Sequence, residues 1–209
     1  MIPTIILLIA LLNSPLAEVS ATVPVASHTM SMTNRYGNEF VNGVFRDNIL
    51  LTLRYMSGEI ETKDQINWDE VNGDYSYQFT LNPGEGFAFH DTILPKYKGV
   101  IVKTTEAHFN YADGFKSDGY LMGDGVCHLA SIIYWSAKDA GLETLALHNH
   151  DFAAIPEVPK EYGVGIYNVP SAGQGAESNL YIVNNKEKPV HFVFDYKDNN
   201  LTVAVTMDK

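Results

Sequence analysis

The sequence predicts an α+β fold: an antiparallel or mixed sheet with two main helices, the second starting at the only cysteine. Three observations carry this. Two stretches, 40–57 and 126–140, place apolar residues at helical spacing. Several short runs rich in β-branched and aromatic residues are separated by turn-forming clusters. The chain has 209 residues, of which 45% are hydrophobic, enough to bury the core of one domain.

Taken from the N-terminus, residues 1–21 ("MIPTIILLIALLNSPLAEVSA") form a predicted signal peptide. Ile5 to Leu12 are apolar, Ser14-Pro15 breaks the run, and Val19-Ser20-Ala21 is a small-residue cleavage site. No Lys or Arg precedes the run, which leaves a buried strand or an uncleaved anchor as the other readings. The run is too short to span a bilayer comfortably. The expected mature chain therefore begins near Thr22, is extracytoplasmic, and has no stable membrane span. Residues 22–39 read as an extended lead-in and 40–209 as the domain.

Within the domain, Phe45, Ile49, Leu53 and Met56 share one face of the first helix, and Gly58 ends it. Residues 58–74 are polar and read as a surface insertion. Strands are expected at 75–81, 87–94 and 99–109, with a turn at 82–86 ("NPGEG"). The stretch 110–125 is glycine-rich and suits a loop that shapes a site. Val126, Ala130, Ile133, Ala137 and Ala140 form the buried stripe of the second helix, with Gly141 after its end. A strand begins at 142–148, and three more, at 179–183, 190–196 and 201–206, close the chain.

Charge narrows the partners. The formal net charge is −11, which disfavours nucleic acid and anionic lipid. A single cysteine excludes an internal disulfide. It is a buried inert residue, an intermolecular partner or a working thiol. Cys127 lies off the buried stripe, in the predicted first turn, with Asp124 as the expected N-cap. Unpaired amides and the helix dipole there favour a thiolate, whereas a nearby Asp124 carboxylate opposes it. A cysteine nucleophile also needs a base. In a strand, His148 and His150 would share one face, and either could take the thiol proton. The same pair could instead be two metal ligands, with His90, His108 or His128 supplying the rest, but no companion spacing of a known metal motif is present. Neither metal nor cofactor is expected.

Four segments then carry a resemblance: "DNILLTLRYMSG", "LNPGEGFAFHDTI", "YLMGDGVCHLASIIYWSAKDAGLETLALHNHDF" and "SNLYIVNNKEKPVHFVF". In this order they resemble the VanW domain, a family named from bacterial vancomycin-resistance clusters. Pro83, Gly84, Glu85, Phe87 and Phe89 match its proline-glycine-glutamate turn and two phenylalanines. Gly123, Gly125 and Cys127 match its glycine turn and cysteine, and His148 and His150 its histidine pair. The match spans about residues 45–205. Asp124 interrupts the family's glycine triplet, His128 replaces a usual Gln and His90 a usual Asn. A Gly-Arg-Asp stretch expected downstream of the histidines is absent.

The resemblance implies a cell-wall protein. Some members are credited with cysteine L,D-transpeptidase chemistry on peptidoglycan. Carried over, Cys127 would attack the carbonyl of a stem peptide and form a thioester, which an amine of a neighbouring stem resolves. His148 is the expected base and His150 its companion. Gly123 and Gly125 would shape the turn and its oxyanion-binding amides, and His90 and Tyr134 are candidate substrate contacts. The alternative is a non-catalytic envelope module that binds cell-wall peptides.

Overall fold

The structure, a computed structural model, describes residues 22–120, 123–169 and 173–209; the expected signal peptide at 1–21 lies outside them. Strands β1 (Thr22–Ser31), β2 (Tyr75–Leu81), β7 (Val190–Lys197) and β8 (Asn200–Asp208) form an antiparallel sheet in the order β1-β8-β7-β2. Strands β3 (Gly86–Ala88), β4 (Ile101–Lys103), β5 (Glu143–Ala146) and β6 (Leu180–Val183) form a mixed sheet in the order β4-β3-β6-β5, with β3 and β4 parallel. Helices α1 (Glu39–Ser57), α2 (Trp68–Val71) and α3 (Val126–Asp139) complete the α+β architecture.

The longest elements follow their periodicity. In β7, Val190, Phe192, Phe194 and Tyr196 are buried while the intervening residues are not. Asp198 and Asn199, with φ of 51° and 59°, make the two-residue hairpin to β8, the left-handed pair that matches strand twist. On α1, Ile49, Leu53 and Met56 are fully buried. Asn38 caps its start by accepting the Val41 N–H, and Gly58 (φ 81°) ends it. The two sheets meet through phenylalanines: Phe79 of β2 stacks on Phe87 of β3 at 5.2 Å and on Phe192 of β7 at 5.1 Å.

Several expectations need correction. The predicted strands at 87–94 and 99–109 contract to three residues each, β3 and β4, because the chain turns away once Phe87 and Phe89 are buried. The lead-in is part of the sheet: β1 pairs with β8 from Thr22 to Ser31. The segment 58–74 is anchored, with Ile60 and Val71 in the core and α2 within it. Helix α3 begins at Val126, one residue before the cysteine.

Candidate functional site

The approach to Cys127 is built on α1. Asn48, fully buried, donates to the carbonyls of Lys116 (3.0 Å) and Asp124 (2.9 Å) and accepts the Lys116 N–H (2.8 Å). One side chain thus ties the middle of the glycine-rich loop, at Lys116, to its end at Asp124. Gly125, not Asp124, is the N-cap of α3, with φ of 97°. A Cβ at Gly125 would lie 2.6 Å from the Phe45 carbonyl oxygen, so glycine lets α3 start hard against α1. A Cβ at Gly123 (φ 75°) would meet Phe109 at 3.0 Å. Asp124 faces away from capping, its carboxylate accepting the Asp118 N–H (3.0 Å).

Cys127 is the second residue of α3, in the first turn as expected. The Val126 and His128 amides bond to the carbonyls of Gly123 and Gly125, so they are not free oxyanion donors. The Cys127 sulfur rests on one peptide group of a distant segment: it accepts the Ile166 N–H at 3.4 Å and donates to the Ile166 carbonyl at 3.9 Å. One turn along the helix, Ser131 donates to the Cys127 carbonyl (2.7 Å) and accepts the Val164 N–H (2.8 Å). Residues 163–167 therefore run extended beside α3, with alternate amides turned to it. Their other edge meets the histidine segment, where the Gly165 N–H donates to the His148 carbonyl (2.8 Å).

Burial pushes the Cys127 thiol up to about 11, Asp124 adds to the rise, and the Ile166 N–H partly opposes it. The residue is half-buried, its side chain packed against the core. Desolvation outweighs the helix terminus, and the resting site holds a neutral thiol.

The two histidines do not sit in a strand. β5 ends at Ala146, so the shared-face argument fails, and the rings have unlike surroundings. His148 is exposed and hydrogen-bonds the Ser178 hydroxyl through Nδ1 (2.5 Å). His150 is buried, with Nδ1 on the Ala153 carbonyl (3.1 Å) and its ring edge-on to His128 at 5.8 Å. Burial lowers its pKa, leaving it neutral. Neither ring hydrogen-bonds the sulfur among the described residues. His148 is linked to the Cys127 contact through the backbone, by the Gly165 pairing, and His150 through the His128 ring.

His90 is fully buried. Its Nε2 donates to the Ser178 carbonyl (3.2 Å) and its Nδ1 accepts from Asn179 (3.3 Å). Both ring nitrogens are thus occupied within the protein. Tyr134 lies two helical turns beyond Cys127, about 10 Å along the axis, with its ring 6.1 Å from that of Tyr162. Sequence reasoning missed Asn48, Ser178 and the 163–167 segment. The signal available for the last was Gly163-Val164-Gly165: glycines two apart in an extended stretch leave space for neighbouring backbone, and Cβ atoms there would come within 3.0 Å and 3.3 Å of the His150 and Asn149 carbonyls. Among the described residues, no group of three or more His, Cys, Asp or Glu side chains is placed to hold a metal, and no helix is long and apolar enough to cross a membrane.

The fold and site define an α+β domain that presents one thiol at a helix start, against an extended backbone edge that also pairs with the His148 backbone. A family profile for VanW-like protein matches residues 74–206, more than half of the chain, and the chain belongs to that family. No curated protein and no solved structure matches it. α1, which clamps the cysteine loop, lies before the matched range.

Proposed function

We propose that this is an exported bacterial cell-envelope protein that acts as a cysteine-dependent acyltransferase of the L,D-transpeptidase type on peptidoglycan stem peptides. The observation that supports the reading is the Ile166 N–H aimed at the Cys127 sulfur at 3.4 Å. A hydrogen bond from a fixed donor strengthens as the sulfur gains charge, both when the thiol is deprotonated and when the thioester releases thiolate. Because the resting thiol is neutral, a base must take its proton as the acyl donor arrives. His148 is that base: its ring is solvent-accessible, and Gly165, which pairs with its backbone, puts no side chain in its way. The sulfur attacks the donor carbonyl, the terminal amino acid leaves with the proton, and a thioester remains for an amine to resolve.

One observation favours a binding module instead: the thiol is pushed up to about 11 with no imidazole bonded to it. The two readings separate on a covalent adduct. Incubated with peptidoglycan tetrapeptides or a carbapenem, the protein is expected to gain the acyl mass, and Cys127→Ala to gain none. His148→Ala should slow acylation by about a hundredfold, the scale of a lost general base, and His150→Ala by less. An unmodified protein with every donor transfers the conclusion to the binding module.

A further inference from the structure

A cavity of about 300 Å³ has His150 in its wall, and the His150 ring lies 5.8 Å from that of His128, the residue after Cys127. Its body is apolar, from Ala154, Ile155 and Val158, and it also carries two opposite charges, Asp151 and Lys160. The volume is at the low end for ligand cavities, enough for one or two residues and not an extended chain.

The wall is fixed in place. Arg35, its guanidinium fully buried, ion-pairs with Glu157 and donates to the Pro156 carbonyl (3.3 Å), while Asn34 donates to Glu157 (2.6 Å). These contacts tie the 155–158 loop to the end of β1, so the cavity exists before any ligand arrives.

His150 supplies the second observation. The residue is more than nine-tenths buried, and with Nδ1–H donating to Ala153, its Nε2 is a lone-pair acceptor without a partner among the described residues. Asp151 lies close enough to act on the ring electrostatically. An acceptor and a carboxylate at one end, a lysine ammonium elsewhere in the lining and short aliphatic side chains between them match the groups of one kind of molecule.

The geometry points to this cavity as the pocket for a short aliphatic amino acid, its amine toward His150 and Asp151 and its carboxylate toward Lys160, serving as the acyl acceptor. For its chemistry this rests on the acyl-transfer reading. The bound ammonium first gives one proton to solvent; the neutral amine nitrogen then attacks the Cys127 thioester carbonyl, a C–N bond forms and the C–S bond breaks. The proton lost by the amine passes to His150 Nε2 and then to the departing sulfur. No oxidant or further reactant is needed. The two histidines then divide the reaction: His148 serves the thiol and His150 the acceptor. Burial, which lowers the His150 pKa, keeps the ring in the neutral form that an acceptor base requires.

Binding is measured first, on the resting full chain, by titrating alanine of either hand while following the histidine ring signals by NMR. Saturable shifts of the His150 signals are expected. Ethylamine and propionate, each lacking one charged end, should bind about tenfold more weakly, the scale of one charge-assisted hydrogen bond, and Lys160→Ala should lose about the same factor for alanine. Lys160 is exposed, so that variant does not endanger folding. Unmoved His150 signals, or equal affinity in Lys160→Ala, overturn the pocket assignment. In the acylated protein, the ratio of amide product to hydrolysis should rise with alanine and fall in Lys160→Ala and His150→Gln; a ratio indifferent to both variants overturns the acceptor role. A chain that never acylates refutes the proposed function, while the binding titration still decides the pocket.

Discussion

The Cys127 thiol offers the sharpest quantitative expectation. Its pKa is raised from 9.0 to about 11, first by burial and then by Asp124. Two units mean about a hundredfold less thiolate than an ordinary cysteine at the same pH, and at pH 7 only about one molecule in ten thousand carries it. Alkylation by iodoacetamide proceeds through the thiolate, so the native protein should label about a hundredfold more slowly than a free thiol at pH 7. The rate should still be climbing at pH 10. Asp124→Asn keeps an oxygen to accept the Asp118 N–H and removes the charge, so its labelling curve should move to lower pH. Rates are read by intact mass over short times, with circular dichroism at each pH to confirm that the fold persists. A rate that levels off below pH 8 would refute the reasoning, because it would mean an imidazole or the helix terminus outweighs desolvation. A curve unaltered in Asp124→Asn would remove the carboxylate from the account.

Three further outcomes follow from the packing. Asn48→Ala strips the partners from three backbone groups of the loop before Cys127 and should cost at least about 3 kcal/mol by denaturant titration, with faster proteolysis between residues 116 and 124. Gly125→Ala places a Cβ 2.6 Å from the Phe45 carbonyl at a φ of 97°, and should destabilise by more than about 3 kcal/mol, with Gly123→Ala milder. His128 is held neutral, its pKa lowered from 6.5 to about 3 by burial, with Arg35 and His150 adding repulsion. The unfolded chain takes up a proton below pH 6.5 and the folded one does not. Its contribution is therefore fully present above pH 6.5 and is lost as pH falls toward 3, by at most about 5 kcal/mol. His128→Phe keeps the edge contacts with Phe45 and His150 and should flatten the acid limb of the stability curve; an unchanged slope would count against it.

Local pattern made much of this protein legible. The helical stripes of α1 and α3, the alternation of β7 and the Asp198-Asn199 turn are short-range features, in which each residue's burial depends on neighbours a few positions away. The VanW-like family was legible for the same reason, since its motif residues sit within continuous segments. The site was legible only as an inventory. Cys127 was placed correctly in the first turn of α3, but the cap beside it is Gly125, because the start of α3 presses on Phe45 of α1, a contact no local propensity encodes. Alternation assigned His148 and His150 to one face of a strand; instead β5 ends early, and the pairing of Gly165 with His148 leaves one ring exposed and the other buried. The sign of the thiol's pKa shift likewise belonged to tertiary structure. The helix terminus that favours thiolate is local, whereas the desolvation that outweighs it comes from the surrounding protein, including a backbone segment 39 residues away in sequence, and only folding brings the two together.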